Sequence, residues 1–137
     1  MCDFPSTLLR QHPRFVALPH LGASTEEAEE ICAVMVADQV SDYLEHGNIL
    51  NAVNFPTISM PRESSFRLAI ASTNAPDIAA QISTALAGEG LPVCSMVNKS
   101  RGELSVTLVD VASAVPQKAI DQLAAISGVL RVRYLAV

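Results

Sequence analysis

Phe66-Arg67-Leu68-Ala69-Ile70-Ala71-Ser72-Thr73-Asn74-Ala75-Pro76-Asp77 is the stretch that decides the fold. Phe66, Leu68 and Ile70 alternate with Arg67 and Ala69, which is the period of a β-strand. Asn74 to Asp77 then opens a helix, with Asn74 as N-cap and Pro76 in the first turn, where a missing N–H costs nothing. Ile78, Ile82, Ala85 and Leu86 recur at helical spacing, and Gly88 and Gly90 end the run.

The rest of the C-terminal half repeats these element types. Val93, Ser95 and Val97 belong to a second strand, and Arg101-Gly102 is a turn. Leu104, Val106 and Leu108 alternate with Ser105 and Thr107 in a third strand. A second helix is expected from about Pro116, with Ala119, Ile120, Leu123 and Ile126 inward, and Gly128 stops it. The last strand places Leu130, Val132 and Tyr134 on one face and Arg131 and Arg133 on the other. The order β-α-β-β-α-β defines an α+β, ferredoxin-like arrangement. Strict alternation predicts helices on one face of the sheet, leaving the other to water or a partner subunit.

Working toward the N-terminus, residues 48–65 read as a linker with Pro56 and Pro61, ending in an exposed connection at Pro61-Arg62-Glu63-Ser64-Ser65. The expected domains are therefore 1–57 and 58–137. Before the linker, Arg14-Phe15-Val16-Ala17-Leu18 reads as a short buried strand ended by Pro19. A long helix follows, with Ser24 and Glu27 as a capping box and Glu26 and Glu27 at the positive end of the dipole. It runs to about His46, where Gly47 terminates it. Ala28, Ile31, Cys32, Met35, Val36, Val40, Tyr43 and Leu44 form one apolar stripe.

The bulk composition excludes several classes of function. A net charge of -5 argues against a general nucleic-acid binder. No apolar run approaches the roughly 20 residues of a membrane span. The N-terminus lacks the pattern of a secretory signal, and the three cysteines, Cys2, Cys32 and Cys94, form no disulfide framework. A cytoplasmic protein is expected, with Cys32 and Cys94 in the core. His12 and His46 have no partners at metal-ligand spacing, so no metal site is expected. Asn98-Lys99-Ser100 fits a glycosylation sequon that such a protein would not use, and Lys99 with Arg101 reads as a solvated turn.

His20 sits between a strand end and a helix start, where an imidazole can act as acid or base near neutral pH. Position alone also fits a histidine without a chemical role. The run Pro19-His20-Leu21-Gly22-Ala23-Ser24-Thr25-Glu26-Glu27-Ala28 resembles the signature of the D-isomer-specific 2-hydroxyacid dehydrogenases. Asn51-Ala52-Val53-Asn54-Phe55-Pro56 is similar to the segment leaving the catalytic domain in phosphoglycerate dehydrogenases, and residues 58–137 resemble an ACT domain, down to Gly128-Val129-Leu130-Arg131-Val132-Arg133.

The resemblance implies the following roles. His20 would be the acid/base of an NAD-dependent oxidation of 3-phosphoglycerate in L-serine biosynthesis, and His20, Leu21, Gly22 and Ala23 would approach the nicotinamide of NAD. The glutamate partner, the substrate-binding arginine and the glycine-rich nucleotide turn of the family have no match here, so this chain alone is expected to be inactive and to bind no cofactor. The ACT domain implies an amino-acid effector, L-serine in the resembling enzymes, bound between domains of adjacent subunits, and hence a homo-oligomer and allosteric control. Ser72, Asn74 and Pro92 stand at the effector positions. Asn74 matches the family's asparagine. Ser72 and Pro92 replace a histidine and an asparagine of one bacterial branch, and Asp77 replaces a glycine. Asn74 fits a helix cap equally well. The alternative is a free-standing ACT interaction or sensing module without an enzymatic role. In either case the exposed stripe of the N-terminal helix should pack on another copy, cling to the sheet domain or fray, since each large apolar side chain left in water forfeits about 1.5–3 kcal/mol.

Overall fold

A computed structural model describes residues 4–136. The elements are α1 (Thr7–Arg10), α2 (Glu26–His46), β1 (Phe66–Thr73), α3 (Ile78–Gly88), β2 (Val93–Arg101), β3 (Leu104–Val111), α4 (Gln117–Ala124) and β4 (Val129–Ala136). The chain divides into two compact units, 1–38 and 39–137, and the division falls inside α2.

In the first unit, α1 is one short turn of helix. The expected buried strand at 14–18 is reduced, among the described residues, to a single bridge position at Ala17, and Val16 and Leu18 are exposed. The start of α2 is capped by Thr25, not by the expected Ser24. The Thr25 hydroxyl accepts the Ala28 N–H at 3.2 Å, and Glu29 N–H donates to the Thr25 carbonyl. With Thr25 as cap, the third helical position is Ala28 and no reciprocal glutamate is available. No residue of α2 is buried, and Ile31, Val34, Met35 and Val36 are exposed. Cys32 and Cys94 are exposed as well, contrary to their expected place in the core; Cys2 lies outside the described residues.

The second unit holds a four-stranded antiparallel sheet in the order β2-β3-β1-β4. This is the ferredoxin-like α+β fold read from the alternation. Leu68, Ile70, Val109 and Val111 face α3 and α4, where Ile78, Ile82, Leu86, Ala119 and Leu123 close the main core. At the start of α3 the expected cap is replaced: Asp77 occupies the N-cap position without a side-chain hydrogen bond, while Asn74 is engaged elsewhere. Leu130 is exposed, because the β1–β4 register shifts between Ala71 and Ser72, pairing Ala71 with Arg131 and Ser72 with Val129. A bulge leaves its extra residue outside the ladder.

The second face of the sheet is not open. Ile58 and Met60 are buried against Ala69, Val106 and Leu108, with Ile49, Phe55, Val97 and Leu135 packed around them. Residues expected to form a loose linker therefore make a strap across the sheet, closed on itself by reciprocal Ile49–Ile58 backbone hydrogen bonds of 2.8 and 2.9 Å. The Arg101 guanidinium donates to the Ala52 carbonyl at its far turn. This is why Arg67 and Ala69, expected on a solvated face, are buried.

Arg67 is fully buried and is answered by Asp110 directly opposite on β3. Its Nε and Nη2 donate to the two carboxylate oxygens at 2.6 and 2.9 Å, and its remaining protons go to the carbonyls of His46, Met60 and Pro61. Burial alone pushes the Asp110 carboxyl up. The Arg67 guanidinium and the Glu63 N–H outweigh it and hold the group below its ordinary value.

Candidate functional site

The inner, helix-facing side of the sheet changes character at the C-terminal end of β1. Ile70 and Leu68 are followed by Ser72, and β3 places Ser105 and Thr107 opposite Ser72 and Ile70. Ser72, Ser105 and Thr107 are all buried. Asn98 on β2 ties two of them, donating through Nδ2 to Ser105 Oγ at 2.9 Å and Thr107 Oγ1 at 2.7 Å, while Ser105 Oγ donates to the Lys99 carbonyl. Ser72 Oγ alone of this group has no hydrogen-bond partner. A buried hydroxyl left unpaired costs about 1–3 kcal/mol, so it is a feature that needs a reason.

The loop beyond Ser72 is pinned by backbone bonds. Thr73 N–H donates to the Gly128 carbonyl and Asn74 N–H to the Glu103 carbonyl, each at 2.8 Å. Asn74 also donates through Nδ2 to the Gly102 carbonyl at 3.1 Å. Its side chain thus ties the β1–α3 loop to the β2–β3 hairpin and does not cap α3. Gly128 comes so close that a Cβ there would lie 2.6 Å from Thr73 Oγ1. The ordered loop leads directly into the N-terminus of α3, whose first N–H groups favour a negative charge.

Ser72 and Asn74 are together at this end of the sheet, and Pro92 is not. Ser72 pairs with Ser105, and Ser105 pairs with Ser100. Val93, next to Pro92, pairs with Val111, and Val111 pairs with Phe66. Six residues of strand, about 20 Å at 3.3 Å per residue, separate the two ends. Pro92 is exposed, and its carbonyl accepts the Ala112 N–H at 3.0 Å.

His20, Leu21, Gly22 and Ala23 lie in the other unit and are all exposed. The His20 ring stands 5.1 Å from the Phe4 ring, and Ser24 N–H closes a turn on the Leu21 carbonyl. A Cβ on Gly22 would meet nothing within 4 Å. Among the described residues no strand, glycine-rich turn and helix come together around these four in the form of a dinucleotide cradle. Among the described residues no group of three or more His, Cys, Asp or Glu gathers as a metal site, and no helix is long and apolar enough to cross a membrane.

Sequence reading missed the Ser105–Thr107–Asn98 group, although one signal was present: two hydroxyl residues alternate with Leu104, Val106 and Leu108 in β3. The strap was missed because Ile49, Ile58 and Met60 follow no period.

No protein-family model matches the chain. Curated relatives do. D-3-phosphoglycerate dehydrogenase of Escherichia coli K12 is 29% identical over 137 residues, covering 98% of this chain and 32% of the relative. The Haemophilus influenzae enzyme is 29% identical over 128 residues, covering 93% and 31%. D-3-phosphoglycerate dehydrogenase 2 of Saccharomyces cerevisiae is 28% identical over 106 residues, covering 74% and 22%. Among solved structures, the ACT domain from GTP pyrophosphokinase of Chlorobium tepidum superposes with a TM-score of 0.45 at 14% identity, covering 51% of this chain and 95% of that one. The regulatory subunit of aspartate kinase from Thermus thermophilus gives 0.41 at 20% identity, covering 50% and 49%. Along nearly its whole length the chain is a sequence relative of the D-3-phosphoglycerate dehydrogenases, and it spans about a third of their length, the C-terminal part.

Proposed function

We propose that this chain is the regulatory C-terminal region of a D-3-phosphoglycerate dehydrogenase, and that its sheet domain binds an amino-acid effector at a junction between two copies. In this reading residues 1–57 belong with the catalytic region, and His20 to Ala23 serve the NAD-dependent reaction only in an intact, cytoplasmic enzyme of serine biosynthesis. Residues 58–137 are the ACT regulatory domain. The observation that carries the proposal is the buried, unpartnered Ser72 hydroxyl beside Ser105 and Thr107, at the mouth of a pinned loop and a helix N-terminus. That setting suits the carboxylate and ammonium of a small amino acid.

The division of the candidate residues supports the two-copy form. The strap covers one face of the sheet and the helices cover the other, so the edge strands are the available ladders. The β2 edge is the more exposed of the two. Two β2 strands paired antiparallel across a twofold axis bring the Pro92 end of one copy to the Ser72 end of its partner. The effector set is then complete only in the pair.

A thermal-shift series with L-serine, glycine and the other amino acids tests this directly. An effector at 100 times its dissociation constant adds about 2.7 kcal/mol, a readily visible rise. A selective rise for one amino acid is expected; no rise with any would reduce the domain to an assembly element. Ser72→Ala sharpens the test. It removes an unsatisfied hydroxyl, so the ligand-free protein should hold or gain up to about 1 kcal/mol. The same change should abolish the ligand-induced rise. An unchanged rise in Ser72→Ala would remove the site from the end of β1.

A further inference from the structure

An α-helix leaves its last four carbonyls without partners inside the helix. In α2 these belong to Tyr43, Leu44, Glu45 and His46, and an arginine of the sheet unit reaches each of them. Arg133 donates to Tyr43 O at 3.2 Å and Leu44 O at 3.0 Å, with its guanidinium 4.5 Å from the centre of the Tyr43 ring. Arg62 donates to Glu45 O at 3.0 Å, and Arg67 to His46 O at 3.1 Å. Three cations at the negative end of a helix dipole are individually favourable. Their arrangement does more than neutralise charge, because each guanidinium is anchored on a different part of the sheet.

Arg62 makes the widest span. Its Nη1 holds the end of α2, its Nε donates to Ser64 O at 3.0 Å, and its Nη2 donates to Ser65 O at 3.2 Å and to Leu135 O. One half-buried side chain therefore joins the last turn of α2, the approach to β1 and the end of β4. Ser64 Oγ on the Val111 carbonyl and the Glu63 N–H on Asp110 complete the attachment of residues 62–65.

We propose that this arginine-held end of α2 is a coupling joint, in which Arg62 makes residues 43–47, residues 62–66 and the end of β4 move as one body. A shift of the sheet is then delivered to the last turn of α2, residues 43–46. The inference rests on the hydrogen bonds alone and stands whether or not the effector reading does.

Amide hydrogen exchange on the full chain tests it, comparing wild type with Arg62→Gln and Arg62→Lys. Loss of several bonds to a charged donor should open the joint locally. Peptides covering 43–49 and 62–66 should exchange at least about tenfold faster in Arg62→Gln, with the β3 peptide 104–111 unchanged. Arg62→Lys keeps the charge but not the planar fork, so it should exchange like Arg62→Gln. Unchanged exchange at 43–49 and 62–66 would overturn the proposal. So would an equal acceleration in 104–111, which would make Arg62 a general stabilising residue, and so would full rescue by lysine, which would reduce its role to charge.

Discussion

Replacing Asp110 by alanine is expected to destabilise the sheet unit by about 3–5 kcal/mol, the cost of stranding one member of a buried ion pair. Arg67 would be left fully buried with its Nε and one Nη2 bond unanswered, and the Glu63 N–H would lose its acceptor. Chemical denaturation with the midpoint followed by circular dichroism measures the loss. A double replacement, Arg67→Met with Asp110→Leu, removes both charges and in many proteins restores stability. Here it should recover only part of it. Arg67 also serves the carbonyls of His46, Met60 and Pro61, and these would be buried or half-buried without a donor.

The same pair sets an acid limit. Burial pushes the Asp110 carboxyl up, but Arg67 and the Glu63 N–H hold it below its ordinary value in the folded chain. The unfolded chain therefore takes up this proton first as the pH falls. The pair's contribution is full above the ordinary carboxylate value and drains away as pH drops toward and through the lower folded-state value. Stability measured from neutral pH down to about pH 3 should fall less steeply in Asp110→Asn than in wild type.

The second large effect is expected at Gly47. This residue ends α2 with φ of +75°, and its N–H closes on the Tyr43 carbonyl at 3.0 Å, the αL form of a helix C-terminus. A Cβ there would lie 3.0 Å from Ala69 Cβ, 3.1 Å from Leu135 Cδ1 and 3.2 Å from Leu108 Cδ2. Gly47→Ala thus combines left-handed backbone strain with overpacking of the strap-side core, and about 2–4 kcal/mol of destabilisation follows. Gly90 is the internal control. Its φ is +69°, but a Cβ would meet nothing within 4 Å, so Gly90→Ala should cost only the strain, about 1 kcal/mol. Equal losses at the two positions would contradict the close packing of the α2 end on the sheet.

The sheet and its two helices were legible because each strand and helix carries its own period. Leu68 and Ile70, or Ile82 and Leu86, need no knowledge of their neighbours to be read as core. The second face was not legible for the opposite reason. Arg67 between two aliphatic residues looks like a solvated position until Asp110 is placed opposite it, and that pairing is a fact of register between distant strands. The strap depends on Ile58 and Met60, two residues in a proline-punctuated segment without a repeating pattern. Asn74 illustrates how local chemistry is ambiguous: an asparagine before a helix suits an N-cap, but the nearby Gly102 carbonyl takes its amide instead.

The candidate site was legible only through resemblance, which pointed to Ser72, Asn74 and Pro92 as one set. Strand register separates them within a single chain, and physical reading of the sequence could not show that separation. Ser105, Thr107 and Asn98, which the resemblance did not point to, build the polar surroundings of Ser72.

The most direct measurement is a titration of the isotope-labelled chain with L-serine and with any amino acid that raises its thermal stability, followed by two-dimensional amide spectra. Effector binding at the end of β1 predicts saturable changes at Ser72, Thr73, Asn74 and Ser105, accompanied by changes at Val93 and Cys94 contributed by the partner copy. Saturable changes confined to other residues, or no changes at the end of β1 with any amino acid, would contradict it.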